Sequence, residues 1–160
     1  MLKSTPDHNP ELKLGAKFGS TVSAALITAA ILIGTGLPAL AGVIEDRKAN
    51  FKANNGHMRA IGSAIGSGDF DLIKSRAGKI AEWAAVMPDY FPEGSLGSDS
   101  SAKPEIWEAF DEFKAAAQDN HDAAMAVIAA AEAKNGDDVG AALQALGASC
   151  KACHQKFKGW

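Results

Sequence analysis

Residues 149–157 read Ser149-Cys150-Lys151-Ala152-Cys153-His154-Gln155-Lys156-Phe157, SCKACHQKF, and hold both cysteines of a 160-residue chain. If this stretch is helical, Cys150, Cys153 and His154 are related by i+3 and i+4 and share one face. The same face continues upstream and downstream through Leu143, Leu146 and Phe157. Two thiols and an imidazole therefore lie on the apolar stripe of a helix and point into whatever that helix packs against.

Three chemistries use such a cluster. C-x-x-C-H is the attachment signature of c-type haem, with two thiols for the vinyl-derived carbons and the neighbouring imidazole for the iron. A thioredoxin-like dithiol also has the C-x-x-C spacing, but it follows a strand in a βαβ setting. A structural zinc site would draw its remaining ligands from a second C-x-x-C or a histidine pair. The other histidines beyond the leader, His57 and His121, are far apart in sequence. The plain alternative is a buried cysteine pair, or a disulfide, followed by an incidental histidine. Spacing and context favour haem.

The N-terminus reads as a leader. Residues 21–37, TVSAALITAAILIGTGL, carry no charge, follow Lys13 and Lys17, and precede Pro38-Ala39-Leu40-Ala41-Gly42. Small residues at 39 and 41 form an A-x-A site, so a signal peptide over 1–41 is expected, cut after Ala41. An uncleaved membrane anchor is the competing reading, because about 20 apolar residues can span a bilayer. Export fits haem attachment, and the expected location is the periplasm. Removal of 1–41 takes away Lys3, Lys13, Lys17, Asp7 and Glu11, leaving 13 basic and 17 acidic residues and a formal charge of −4 over 42–160. No basic patch points to nucleic acid, and no membrane contact is expected after cleavage.

Alanine is abundant over 42–160 and alternating strand patterns are absent. Apolar or small residues Ile44, Phe51, Met58, Gly62 and Ile65 recur at helical spacing, predicting a first helix over 43–67 stopped by Gly66-Ser67-Gly68. A second helix is expected from an Asp69 cap. Its stripe is Leu72, Ile73, Ala77, Ile80, Trp83 and Met87, with a stop at Pro88. Residues 88–104, PDYFPEGSLGSDSSAKP, read as a long loop, either a ligand-wrapping segment or a plain crossover. A third helix is expected from Pro104 to Asn135-Gly136, and a fourth from Asp137 or Asp138 to Phe157. Four such amphipathic helices pack as an antiparallel four-helix bundle, an all-α fold.

At this point the chain resembles the cytochromes c′, the class II c-type cytochromes. The likeness covers roughly 43–158 and is carried by VIEDRKANFK at 43–52, YFP at 90–92, KPEIW at 103–107 and above all AALQALGASCKACHQKF at 141–157. The C-terminal position of C-x-x-C-H selects this class among c-type cytochromes. The resemblance implies one covalent haem c, with Cys150 and Cys153 as thioether links and His154 as the proximal iron ligand. It puts Phe51, four residues after Arg47, on the distal side, and implies a five-coordinate high-spin iron that binds NO and CO. It places Lys158 beside the proximal imidazole and Arg47 and Lys48 near the haem propionates. Related low-spin cytochromes c556 use a methionine of the same helix, which makes Met58 the rival ligand and electron transfer the rival function. Phe51 and Met58 are two turns apart, about 10.5 Å of rise, so both cannot face one iron. The resemblance implies no catalytic residues and no enzyme. A redox partner protein is implied without its identity, and a homodimer is common in the class, with Gly62, Ala64 and Gly66 as small residues for close packing. The rival from another class remains a thiol oxidoreductase on Cys150 and Cys153.

Overall fold

The computed structural model describes residues 36–159, with side chains from residue 42 onward. The leader read over 1–41 and its cut after Ala41 lie outside the residues whose side chains are described. The elements are α1 (Gly36–Ile65), α2 (Phe70–Val86), a 3₁₀ turn (Met87–Tyr90), α3 (Glu105–Glu108), α4 (Phe110–Glu132) and α5 (Gly136–Phe157). The four long helices α1, α2, α4 and α5 form the bundle, with short connections after α1 and α4. Among the described residues there is no strand, only an isolated antiparallel bridge between Ala102 and Lys158. No helix among them is long and apolar enough to cross a membrane.

Local chemistry sets the boundaries. Gly68 takes φ +65°, a conformation that glycine adopts without a Cβ penalty, and its N–H donates to Ile65 O at 3.1 Å. The chain then turns straight into Asp69, whose Oδ1 accepts from Leu72 N at 3.0 Å. This cap satisfies one of the free donors of the first turn of α2.

The expected third helix is broken. α3 is a single turn, and Ala109 leaves helical geometry at φ −128°, ψ 50° before α4 begins. The break leaves Trp107 facing the preceding loop, its ring N–H donating to Phe91 O at 3.0 Å and Pro92 O at 3.1 Å. At the other end, α4 stops at Glu132, and the left-handed residue is Lys134 at φ 55°. Asn135-Gly136, expected to close the third helix, instead opens α5. Asn135 Oδ1 accepts from Asp137 N at 3.1 Å and Asp138 N at 3.2 Å.

The interior divides in two. One half is aliphatic and alanine-rich: Ile61, Ile73, Ala77, Ile80, Ala124, Val127, Val139 and Leu146 are all essentially inaccessible. Alanines on the facing sides of α2 and α4 let these helices pack closely, and each buried isoleucine or leucine contributes about 1.5–3 kcal/mol. The other half is aromatic, built from Trp83, Phe91, Phe113 and Phe157 with Met87 and Ile106. Edge-on ring pairs Phe91–Phe113 and Phe113–Phe157, with centroids 4.7 and 5.3 Å apart, knit it together. Ala64, expected as a surface for a second subunit, is buried inside this protomer. A Cβ on Gly62 would meet Leu143 of α5 at 3.7 Å.

Candidate haem site

α5 carries Cys150, Cys153 and His154 into the bundle as the spacing predicts, and all three are partly buried. Across from them, α1 brings Phe51. Its ring stands edge-on to the His154 imidazole, with centroids 6.0 Å apart, and edge-on to Trp83 of α2 at 5.6 Å. Two cavities flank this ring pair. The larger, ≈ 360 Å³, has an apolar wall that includes Phe51, Phe91, Ile106, Phe113 and Phe157, with Cys153 and His154 at its side. The smaller, ≈ 70 Å³, reaches Met58, Trp83, Asn120 and Cys150 behind the same rings.

The larger cavity has four cations on its wall, Arg47, Lys48, Lys52 and Lys158, and no carboxylate. An apolar slot with a cationic rim, with Cys153 and His154 on its wall and Cys150 in the smaller cavity beside it, suits a flat, hydrophobic, dianionic macrocycle. Trp83 lines the smaller cavity, and its buried indole N–H has no hydrogen-bond partner among the described residues. These residues fit haem.

Burial raises the Cys150 thiol, and burial together with Cys150 raises Cys153 to about 11. A reactive dithiol needs the opposite shift. Asn120 of α4 donates to Ser149 Oγ at 2.9 Å and to Cys150 Sγ at 3.2 Å, fixing the first thiol. Burial, with Lys158 adding to it, lowers the His154 pKa and so favours the neutral imidazole that a metal requires. No group of three or more His, Cys, Asp or Glu side chains that could hold a zinc ion occurs among the described residues.

The other expected residues fall as follows. Lys48 lines the larger cavity while pairing with Glu45 at 3.2 Å. Lys158 lines it too, just past the end of α5. Met58 lines the smaller cavity but packs chiefly against the aliphatic core. His121 is a boundary residue within 3.0 Å of Asp122 Oδ1. Burial, with the α2 cations Arg76 and Lys79 adding to it, lowers the His57 pKa. Arg47 lines the larger cavity and is also tied to the loop before α3. It is 3% exposed, and all four of its contacts through Nη1 and Nη2 go to the 88–104 loop. Its guanidinium also sits 4.3 Å from the Phe91 ring centroid, and burial pulls its pKa below the ordinary arginine value. The apolar period passed over this position because it seeks hydrophobic residues, and Arg47 is buried by hydrogen bonding instead.

A four-helix bundle with C-x-x-C-H on its last helix, opening on an apolar cavity, defines a c-type haem protein of the helical class. The chain belongs to the cytochrome c′ family, whose model, described as Cytochrome C′, matches residues 42–158. It is 42% identical over 119 residues to a cytochrome c′ of Pararhodospirillum photometricum, covering 72% of this chain and 94% of that one. It is 39% identical over 122 residues to a cytochrome c-556 of Agrobacterium tumefaciens (strain II Chrys), covering 74% and 98%. Among solved structures it resembles the nitric oxide complex of a leucine-to-valine mutant of cytochrome c prime from Alcaligenes xylosoxidans. That likeness has a TM-score of 0.68 at 27% identity, over 76% of this chain and 97% of the other.

Proposed function

We propose that this protein is an exported, periplasmic cytochrome with one covalent haem c that binds NO and CO on the distal face and carries electrons. Cys150 and Cys153 hold the haem as thioethers, and His154 supplies the proximal ligand. Phe51 covers the opposite face. When bound, the haem supplies a redox-active iron able to take a diatomic ligand. The chain's own residues do the rest. His154 stays neutral and oriented, and the aromatic wall excludes water. Lys48, Lys52 and Lys158 offer charge to the propionates, and the phenyl ring keeps the distal position free of a donor atom. We read the chain as a ligand-binding and electron-carrying protein, not an enzyme, acting with a redox partner and assembling as a homodimer.

The observation that carries this reading is the Phe51–His154 juxtaposition at 6.0 Å. It supports a phenyl ring, not a sulfur, as the group that the proximal imidazole looks toward. The nitric oxide complex of the cytochrome c prime mutant lends support by likeness. The test is the visible spectrum of the dithionite-reduced protein before and after CO. A broad Soret band that shifts on CO is expected. Sharp α and β bands indifferent to CO would overturn the reading. The second reading is a six-coordinate electron carrier with Met58 on the iron. It is favoured by the cytochrome c-556 relative and by the place of Met58 in the smaller cavity beside His154.

A further inference from the structure

α1 and α5 meet directly where Met58 lies against Gly147 and Gly62 faces Leu143. Of the interfaces between neighbouring long helices, theirs is the thinnest. Toward Arg47 the larger cavity lies between the two helices, lined by Phe51 of α1 and by Cys153 and Phe157 of α5. What joins them at this open end is the segment 91–103.

One half of that segment is tied to α1. Arg47 Nη1 donates to Ser95 Oγ at 3.0 Å and Tyr90 O at 3.3 Å. Nη2 donates to Ser95 O at 2.8 Å and Ser100 Oγ at 3.1 Å. Ser95 is 1% exposed, and its hydroxyl donates on to Pro92 O at 2.7 Å. Gly97, at φ +57°, lies so close to α1 that a Cβ there would overlap Ile44 Cδ1. The other half is tied to α5. Lys103 N donates to Phe157 O at 3.0 Å, Gly159 N to Ser101 O at 2.8 Å and Lys103 Nζ to Lys156 O at 2.8 Å.

We propose that residues 91–103 form a strap over the open end of the cavity and that Arg47 is its latch, a positioning residue that sets how readily a diatomic ligand passes between α1 and α5. Ser100, Ser101 and Ala102 of the strap line the cavity mouth, and Arg47 sits one turn before Phe51 on α1. The Arg47 charge is buried against neutral acceptors and a ring, with no carboxylate partner among the described residues. Losing some of those acceptors leaves a buried cation under-solvated, so the latch opens as a unit. Lysine cannot reproduce its planar fork. The proposal rests on the ligand-binding reading above.

The test uses the haem-loaded protein and two variants, Arg47→Gln and Ser95→Ala. The second removes one acceptor and leaves the cation in place, so it serves if the first does not fold. Backbone amide exchange over 94–102 should quicken by about tenfold or more, as expected for loss of charge-assisted hydrogen bonds, with the α2 and α4 core unchanged. CO association to the reduced protein should quicken several-fold. Unchanged exchange in the strap overturns the latch. Faster exchange with unchanged CO association overturns its control of access. A wild-type protein that binds no CO sinks the ligand-binding reading and with it the access role, while exchange still decides whether Arg47 holds the strap.

Discussion

Phe51 is held between two partners, His154 at 6.0 Å and 71° and Trp83 at 5.6 Å and 89°, both edge-on. With a haem between Phe51 and His154 the ring would keep Trp83 as its partner, and turning it off its rotamer to admit a ligand would cost about 0.5–1.5 kcal/mol. In rate this is about two- to tenfold. Phe51→Ala should therefore speed CO and NO association with the reduced protein by that factor, with little change in the spectrum of the unliganded form. Stopped-flow mixing measures it. Unchanged rates would mean that Phe51 does not gate the iron.

Asn135 offers a test of the fold. It serves two orphan N–H groups at the start of α5, those of Asp137 and Asp138, while its own amide donates to Asp138 Oδ2 at 2.6 Å. Asn135→Ala removes the cap and should lower unfolding stability by about 1 kcal/mol. The thermal midpoint should fall by about 3–5 °C, with the haem spectrum unaffected. No loss of midpoint would mean that the α4–α5 turn is held by Lys134 and its neighbours instead.

Much of this was legible in the sequence, and the exceptions have physical causes. Helical periodicity locates four bundle helices because their faces are uniformly apolar or small, as at Ile73, Ala77, Ile80 and Trp83. C-x-x-C-H points to haem by its spacing together with its setting on an apolar helix stripe without a strand before it. The break at Ala109 left no local signal, since alanine is a strong helix former and the interruption accompanies tertiary contacts of Trp107. Asn135-Gly136 was ambiguous in principle, because asparagine suits the end of one helix and the start of the next. The burial of Arg47 had no signal in the sequence, because it depends on carbonyls and hydroxyls about 43 to 53 residues away. No window on the sequence joins such distant partners.

The alanine face between α2 and α4 predicts intolerance to bulk. Ala77 and Ala124 are both fully inaccessible, in a core shared with Ile73 and Val127. Ala124→Leu adds three carbons where close-packed neighbours leave no room, and overpacking of this kind costs about 1–3 kcal/mol. Chemical denaturation of the haem-loaded variant should show that loss as a lower midpoint with the slope unchanged. A neutral result would mean that the α2–α4 contact is looser than the burial implies.

Met58 decides between the two cytochrome readings. It sits two turns after Phe51 on α1, packs on the aliphatic core and contacts the region of Gly147. It also lines the smaller cavity with His154, while Phe51 is the residue whose ring pairs with that imidazole. Met58→Leu keeps volume and apolarity, and such swaps usually cost less than about 1.5 kcal/mol. If Met58 is core, the variant keeps the wild-type spectrum in both oxidation states and binds CO as before. If Met58 ligates the iron, the same substitution erases sharp α and β bands and creates CO binding where there was none. The first outcome is expected, because a leucine can replace a methionine in packing but not in coordination, and the contacts of Met58 are those of packing.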